Sequence, residues 1–327
     1  MGRAGSTSIQ QFLWSNRNVL PAHGWHYPEQ TAFGFQPDSN AIGNLTALAQ
    51  LSKRRGTASR PIDCSAQLEA FSEYLAGAGT GNVVLSSEWA GSRHRSFFHD
   101  LLAASRKHNY RAQILIYFRE QRGWLLSAYA QRVKRLRWTL SAEEYLRAVQ
   151  ISDLDYHATL LKFTQIFGKE DVIARIYDRA RLVEGDIQKD LLEAMGLQAV
   201  KFKLADPNAN VSADLVEIEL LRLVNQYCRG AQIDNRQLLR LSAQIDYPRD
   251  RRLYRLVPPA LLLSLKEAFR ASNDRLAAEL GYASSADLFV NDIPESYPVL
   301  DERDRVSEHS VRILSAYICK IHESESA

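Results

Sequence analysis

An α/β protein with a parallel sheet is the fold class that the sequence predicts, on two observations. Three short β-type runs, at residues 82–85, 112–118 and 171–177, alternate with segments whose apolar residues recur at helical spacing. The run at 112–118 is nearly continuous in apolar residues, the pattern of a strand covered on both faces. Sheets of this kind bind ligands beyond the carboxyl ends of their strands, so the strand-to-helix junctions are where function is sought.

Ile9, Phe12, Leu13 and Leu20 predict an amphipathic helix over 8–20, entered from the small-residue loop Gly2-Arg3-Ala4-Gly5-Ser6-Thr7-Ser8. Residues 21–60 mix Pro, Gly and Asn with the basic cluster Lys53, Arg54, Arg55 and Arg60, and read as a loop-rich insertion with room for one short helix. Leu68, Phe71 and Leu75 mark a helix closing at Gly77 and Gly79; Asn82-Val83-Val84-Leu85 then forms a short buried strand ending at Ser86, Ser87 and Glu88. A helix over 97–105 leads to the 112–118 strand and Arg119. The helix after it buries Leu125, Ala128, Tyr129, Val133 and Leu136 and turns Arg132, Lys134 and Arg135 outward. Ser141 and Glu144 make a capping box. Beyond the 171–177 run a helix through Leu191 and Leu192 stops at Gly196. Pro258 and Pro259 open a helix carrying Leu262, Leu265, Phe269 and Leu276, with Gly281 as its cap. The chain reads as one domain over 1–327, mainly helical over 197–327.

Hydrophobic residues at 46% and charged residues at 24% of the 327 exclude a disordered or fibrous chain. No apolar run approaches the roughly 18 residues that cross a bilayer, and the N-terminus has no signal-peptide core, so a cytoplasmic protein is expected. A net charge of +3 does not describe a nucleic-acid binder, and any anion binding must be local. Cys64, Cys228 and Cys319 read as buried free thiols, and His94, His99, His108 and His157 fit no metal-ligand spacing.

The loop at 2–8 aims backbone N–H groups and a positive helix end at one point, which suits an anion. Ser6, Thr7 and Ser8 add hydroxyl donors and Arg3 a planar cation, although a Ser/Thr-rich N-cap reads the same way. The Walker spacing is absent. Glu88, directly after a strand, faces the expected crevice, where a carboxylate can accept a proton; pairing with Arg3 or capping the next helix is the alternative. Ser86 and Ser87 either touch a ligand or satisfy the turn. Trp14, Trp25, Trp89, Trp124 and Trp138 read as core or pocket walls, with Trp89 beside Glu88. Arg249, Arg251, Arg252 and Arg255 form either a solvated face or an anion contact.

The stretch Tyr117-Phe118-Arg119-Glu120-Gln121-Arg122-Gly123-Trp124-Leu125-Leu126-Ser127-Ala128-Tyr129 resembles the signature of the sulfotransferase family, an arginine at a strand end and a serine eight positions later. The loop at 2–8 resembles that family's first motif, with Gly2 for its proline and Arg3 for its lysine. The segments LPAHGWHYP, VVLSSEW, QIFGKEDVIARIYDR and FRASNDRLAAEL look like its bacterial branch, and the resemblance runs from residue 2 to about residue 280.

The resemblance implies a P-loop-type parallel sheet flanked by helices, with 3′-phosphoadenosine-5′-phosphosulfate (PAPS) as sulfuryl donor and no metal. Arg3, Ala4, Gly5, Ser6, Thr7 and Ser8 would hold the phosphosulfate, Arg119 and Ser127 the 3′-phosphate, and Glu88 would deprotonate the hydroxyl of a carbohydrate, lipid or small-alcohol acceptor. The region 197–327 would lie on the acceptor side. The family's loop is fed by a buried central strand, for which no residues stand ahead of Gly2, so an upstream extension of about ten residues rich in Val, Ile, Leu and Phe is expected. A sulfotransferase-like binding protein without turnover, or another P-loop phosphotransferase, are the alternatives.

Overall fold

The computed structural model describes residues 4–33, 43–45, 65–88, 95–205, 214–228, 233–290, 293–301 and 307–325. Arg3, Cys64, Trp89, His94 and the cluster Lys53, Arg54, Arg55 and Arg60 lie outside them.

The regular elements begin with α1 (Ser6–Ser15), β1 (Trp25–His26), α2 (Ser65–Gly77), β2 (Asn82–Val83), α3 (Arg95–Lys107) and β3 (Ile114–Phe118). Then come α4 (Gln121–Leu136), α5 (Ala142–Arg147), α6 (Tyr156–Phe167), β4 (Val172–Ile176) and α7 (Ile187–Ala194). Helices alone follow among the described residues: α8 (Leu215–Tyr227), α9 (Asn235–Gln244), α10 (Pro259–Glu279), α11 (Ser285–Leu288) and α12 (Glu308–Glu325).

Helices and parallel strands do alternate. β1 pairs with β2, Trp25 opposite Asn82, and β3 pairs with β4 from Ile114 opposite Val172 to Phe118 opposite Ile176. Among the described residues these are two sheets of two strands each, not one sheet. The chain divides into two compact units: Met1–Arg119, Asp155–Asn210 and Ser272–Asn291 form the first, Glu120–Leu154, Val211–Ala271 and Asp292–Ala327 the second.

In the first unit Phe12, Leu13 and Leu20 pack on Leu191, Leu192 and Met195 of the α7 region, and Ala4 packs with Tyr117, Leu182 and Ile187. Each large side chain buried this way contributes about 1.5–3 kcal/mol. α6 starts where Asp155 accepts the Ala158 N–H (2.9 Å), and α7 where Asp186 accepts that of Gln188 (2.7 Å). In the second unit Glu120 caps α4 through Gly123 N (2.8 Å), and Ser141 with Glu144 forms the expected capping box.

Several expectations need correction. The first helix spans Ser6–Ser15 rather than 8–20, because Asn16 donates its side-chain amide to Phe12 O (2.9 Å) and Lys203 O (3.0 Å) and ends it. The loop-rich insertion at 21–60 contains β1, two residues that are a strand only because they pair with β2. Only Asn82 and Val83 of the 82–85 run join a ladder, and Val83, Val84 and Leu85 are half-buried, not buried. Leu136 is 66% exposed, since α4 ends there with Arg137 in the left-handed region (φ 52°). Ala128 of the same stripe is half-buried. Trp14 is exposed under the Arg17 guanidinium (4.0 Å) rather than in the core. Cys228 and Cys319 are free, but half-buried and exposed respectively.

Candidate functional site

The turn into α1 is held from below. Gly5 has φ 76°, and a Cβ there would lie 2.7 Å from Tyr177 Cε2 and 2.8 Å from Ile187 Cγ1, so both conformation and space require glycine. Ala4, only 2% exposed, anchors the turn by packing. The first helical hydrogen bond runs from Ile9 N to Gly5 O (3.0 Å), and Gly5 has no side chain to cap the amides of Ser6 and Thr7 that precede it. A turn of this form presents N–H groups and the positive end of the helix dipole together.

The residues after β2 meet this turn. Ser6 donates its hydroxyl to Glu88 Oε1 at 2.7 Å, and Thr7 Oγ1 lies 3.5 Å from the same oxygen. Glu88 is half-buried. Its approach is shaped by Asn44, a buried residue that the sequence did not single out. The Asn44 amide donates to Val84 O (2.9 Å), its Oδ1 accepts from Ser86 N (2.7 Å), and Leu45 N donates to Ser86 O (3.1 Å). The Ser86 backbone therefore satisfies the turn.

Arg119 follows β3. Tyr156, fully buried on α6, donates its hydroxyl to Arg119 O at 2.7 Å and so holds the backbone there. The Arg119 guanidinium lies 5.8 Å from the ring centre of Tyr177, whose own N–H donates to Phe118 O (2.7 Å). One ring thus supports both the Gly5 turn and Arg119. Tyr177 closes the 171–177 run, and its position at a strand end is the signal that could have found it. Beneath the junction Tyr117 donates to the buried Asp190 (2.7 Å), which also receives Arg175 (3.0 Å). Burial, with Asp190 as acceptor, pushes the Tyr117 hydroxyl far above the usual tyrosine range, so it stays a donor.

Ser6, Thr7 and Glu88 are thereby brought together, and Gly5 and Arg119 share Tyr177. Ser8 lies in the first turn of α1. Ser127 lies half-buried on α4, which belongs to the second unit, whereas Arg119 ends a segment of the first. Arg3 is outside the described residues.

In the arginine cluster of the second unit Arg251 and Arg252 are exposed, as a solvated face would have them, and three of the four arginines hold carboxylates. Arg249 pairs with Glu217 (2.6 Å) and stacks on Tyr247, while Arg252 and Arg255 both hold Asp250 (2.8 and 2.6 Å). Of the histidines, His108 Nε2 lies 2.8 Å from Ser72 Oγ. Among the described residues no group of His, Cys, Asp and Glu has the arrangement of a metal site. No helix among them is long and apolar enough to cross a membrane.

No family model matches the chain. It is similar to an uncharacterised protein of Archaeoglobus fulgidus, 27% identical over 179 residues, covering 55% of this chain. The match spans about half of that relative, 48% of its length. No solved structure matches.

Proposed function

We propose that the chain is a PAPS-dependent sulfotransferase acting on a hydroxyl of a carbohydrate, lipid or small-alcohol acceptor. The observation that supports this most is the Ser6–Glu88 hydrogen bond of 2.7 Å, which joins a strand-end carboxylate to the first turn of a helix entered from a glycine turn. Sulfuryl transfer needs these two things side by side: donors for the anionic donor's oxygens and a base for the incoming hydroxyl. The acceptor oxygen attacks sulfur, the bond from sulfur to the phosphate oxygen breaks, and the hydroxyl proton passes to Glu88. Arg3, the Gly5 turn and the hydroxyls of Ser6, Thr7 and Ser8 take the charge that builds on the leaving phosphate. Arg119 and Ser127 hold the 3′-phosphate.

The same bond also favours a second reading, in which Glu88 is a strut that fixes the turn and the chain binds the donor without transferring it. Two variants separate these. Arg119→Ala should weaken binding of the product 3′-phosphoadenosine-5′-phosphate (PAP) about ten- to hundredfold, the value of a charge-assisted phosphate contact, with little change in melting. Glu88→Gln should leave PAP affinity nearly unchanged while turnover falls about 10²–10⁴-fold. Loss of PAP affinity and stability together in Glu88→Gln supports the strut. Calorimetry showing no PAP binding by the folded protein, or preference for ATP with magnesium, removes the sulfotransferase reading.

A further inference from the structure

The ladder of β1 and β2 meets a proline, and the parallel pattern says what that removes. In a parallel pair each bonded residue donates to the carbonyl one before its partner and accepts from the amide one after it. Trp25 faces Asn82 and His26 faces Val83, so by the same register Tyr27 faces Val84. Val84 N accordingly donates to His26 O (2.8 Å). The amide that should donate in turn to Val84 O belongs to Pro28, which has no N–H. β1 therefore ends at His26, and β2 loses its strand partner well short of Glu88.

The Asn44 side chain supplies what Pro28 lacks. Its Nδ2 donates to Val84 O (2.9 Å), the bond that an amide at position 28 would make, and also to Pro28 O (3.1 Å). Its Oδ1 accepts from Ser86 N (2.7 Å), the bond that Pro28 O would take in an unbroken ladder. Leu45 N then donates to Ser86 O (3.1 Å). One primary amide between the two chains thus carries the pairing on to Ser86. Only one orientation of that amide fits, since both carbonyls can only accept and the Ser86 amide can only donate. Asn44 is itself fixed: it is 1% exposed, its backbone N–H donates to the Tyr27 hydroxyl (3.3 Å), and the buried Gln30 amide donates to Gly43 O (2.8 Å).

We propose that Asn44 is a positioning residue for Glu88: its amide replaces the ladder that Pro28 breaks and so sets where the carboxylate meets Ser6. The inference rests on the reading of Glu88 as the proton acceptor. A general base must lie within hydrogen-bond reach of the proton it takes, and a small misplacement is enough to slow the reaction. Glu88 reaches Ser6 at 2.7 Å from a segment that Asn44 and Leu45 hold at Val84 and Ser86. The donor side has other supports. Gly5 is seated against Tyr177 and Ile187, and Arg119 O is held by Tyr156. Asn44 should therefore act on turnover and leave donor binding alone.

The test compares Asn44→Ala with a double variant that adds Pro28→Ala and so returns an amide to position 28. In Asn44→Ala the Ser86 amide should exchange at least about 100-fold faster, and a crystal structure should show the Ser6 Oγ to Glu88 Oε1 separation opened past about 3.5 Å. In the double variant both should return toward the values of the unsubstituted chain. Neither readout needs a donor, so they judge Asn44 even where the unsubstituted chain binds no PAP, the result that removes the sulfotransferase reading. Where PAP binds, Asn44→Ala should keep its affinity within about twofold and lose turnover with PAPS at least about tenfold, and Pro28→Ala should recover most of that loss. If Asn44→Ala does not fold, folding of the double variant alone gives the same support. An unmoved Glu88 in Asn44→Ala, PAP affinity lost in step with turnover, no recovery when the amide is restored, or failure of both variants to fold would overturn the proposal.

Discussion

The charged helices of the second unit and the Gly5 turn of the first hold their carboxylates by different means. In the second, carboxylates are held by guanidinium groups: Glu219, 1% exposed, receives Arg222 at 3.0 Å, and Asp250 receives both Arg252 and Arg255. In the first, Glu88 at the strand end accepts from the hydroxyls of Ser6 and Thr7, and the junction is braced by packing, Gly5 on Tyr177 and Ile187. The difference is one of means: ion pairs fix these carboxylates of the second unit, and packing fixes the turn that Glu88 meets.

The largest expected effect breaks the charge-based side of that comparison. Arg222→Met leaves the Glu219 carboxylate buried without its guanidinium and should cost about 3–5 kcal/mol in denaturant unfolding. Adding Glu219→Leu should restore most of it, because an apolar pair replaces an ion pair at little net cost. A loss below about 1 kcal/mol for Arg222→Met would show that the pair is not what holds α8.

Next comes the packing-based side. Gly5→Ala combines a left-handed backbone with a Cβ less than 3 Å from Tyr177 and Ile187, and should cost about 2–4 kcal/mol. Gly24 is a matched control, with φ 75° and nothing within 4 Å of its missing Cβ. Gly24→Ala should cost only about 1–2 kcal/mol, the backbone part alone. Equal losses in thermal melts would mean that Tyr177 does not brace the turn.

The smallest effect is in acid. Arg252 first, and Arg255 with it, hold the Asp250 carboxyl well below the usual carboxylate range. A depressed carboxyl pKa adds stability that is fully present above about pH 4 and fades as pH falls toward the folded-state value. Asp250→Asn should therefore cost about 1 kcal/mol at pH 7, and its deficit should narrow steadily below pH 4. A deficit that is the same at pH 7 and pH 3 would mean that the charge contributes nothing.

How far the sequence could be read depends on how far apart the interacting residues are. α10 was legible because Pro259 opens it and its apolar residues recur within a few positions, and the Ser141–Glu144 box because both partners sit in one turn. The ladder of β3 and β4 followed from two apolar runs, each a strand in its own right. β1 was not legible: Trp25 and His26 sit in a Pro- and Gly-bearing stretch and carry no period, and only Asn82 and Val83 make them a strand. Leu136 fitted the apolar stripe of α4 by spacing alone, but the helix ends where its stripe would need a neighbour.

The candidate site divides the same way. The Gly2–Ser8 loop and Glu88 were identified from local composition and strand-end position, and Arg119 through the resemblance of the 117–129 stretch. That Ser6 meets Glu88 across 82 residues, that Tyr177 supports Gly5 and Arg119 at once, and that Asn44 shapes the end of the β2 segment came only from the folded chain. By itself the sequence determined which segments are helical, which are apolar enough for parallel strands, and which junctions carry polar groups, because periodicity and capping act over a few residues. The tertiary structure alone decided which junctions converge and which arginines are consumed in ion pairs. Those outcomes depend on burial and on partners remote in the chain, for which neighbouring residues carry no code.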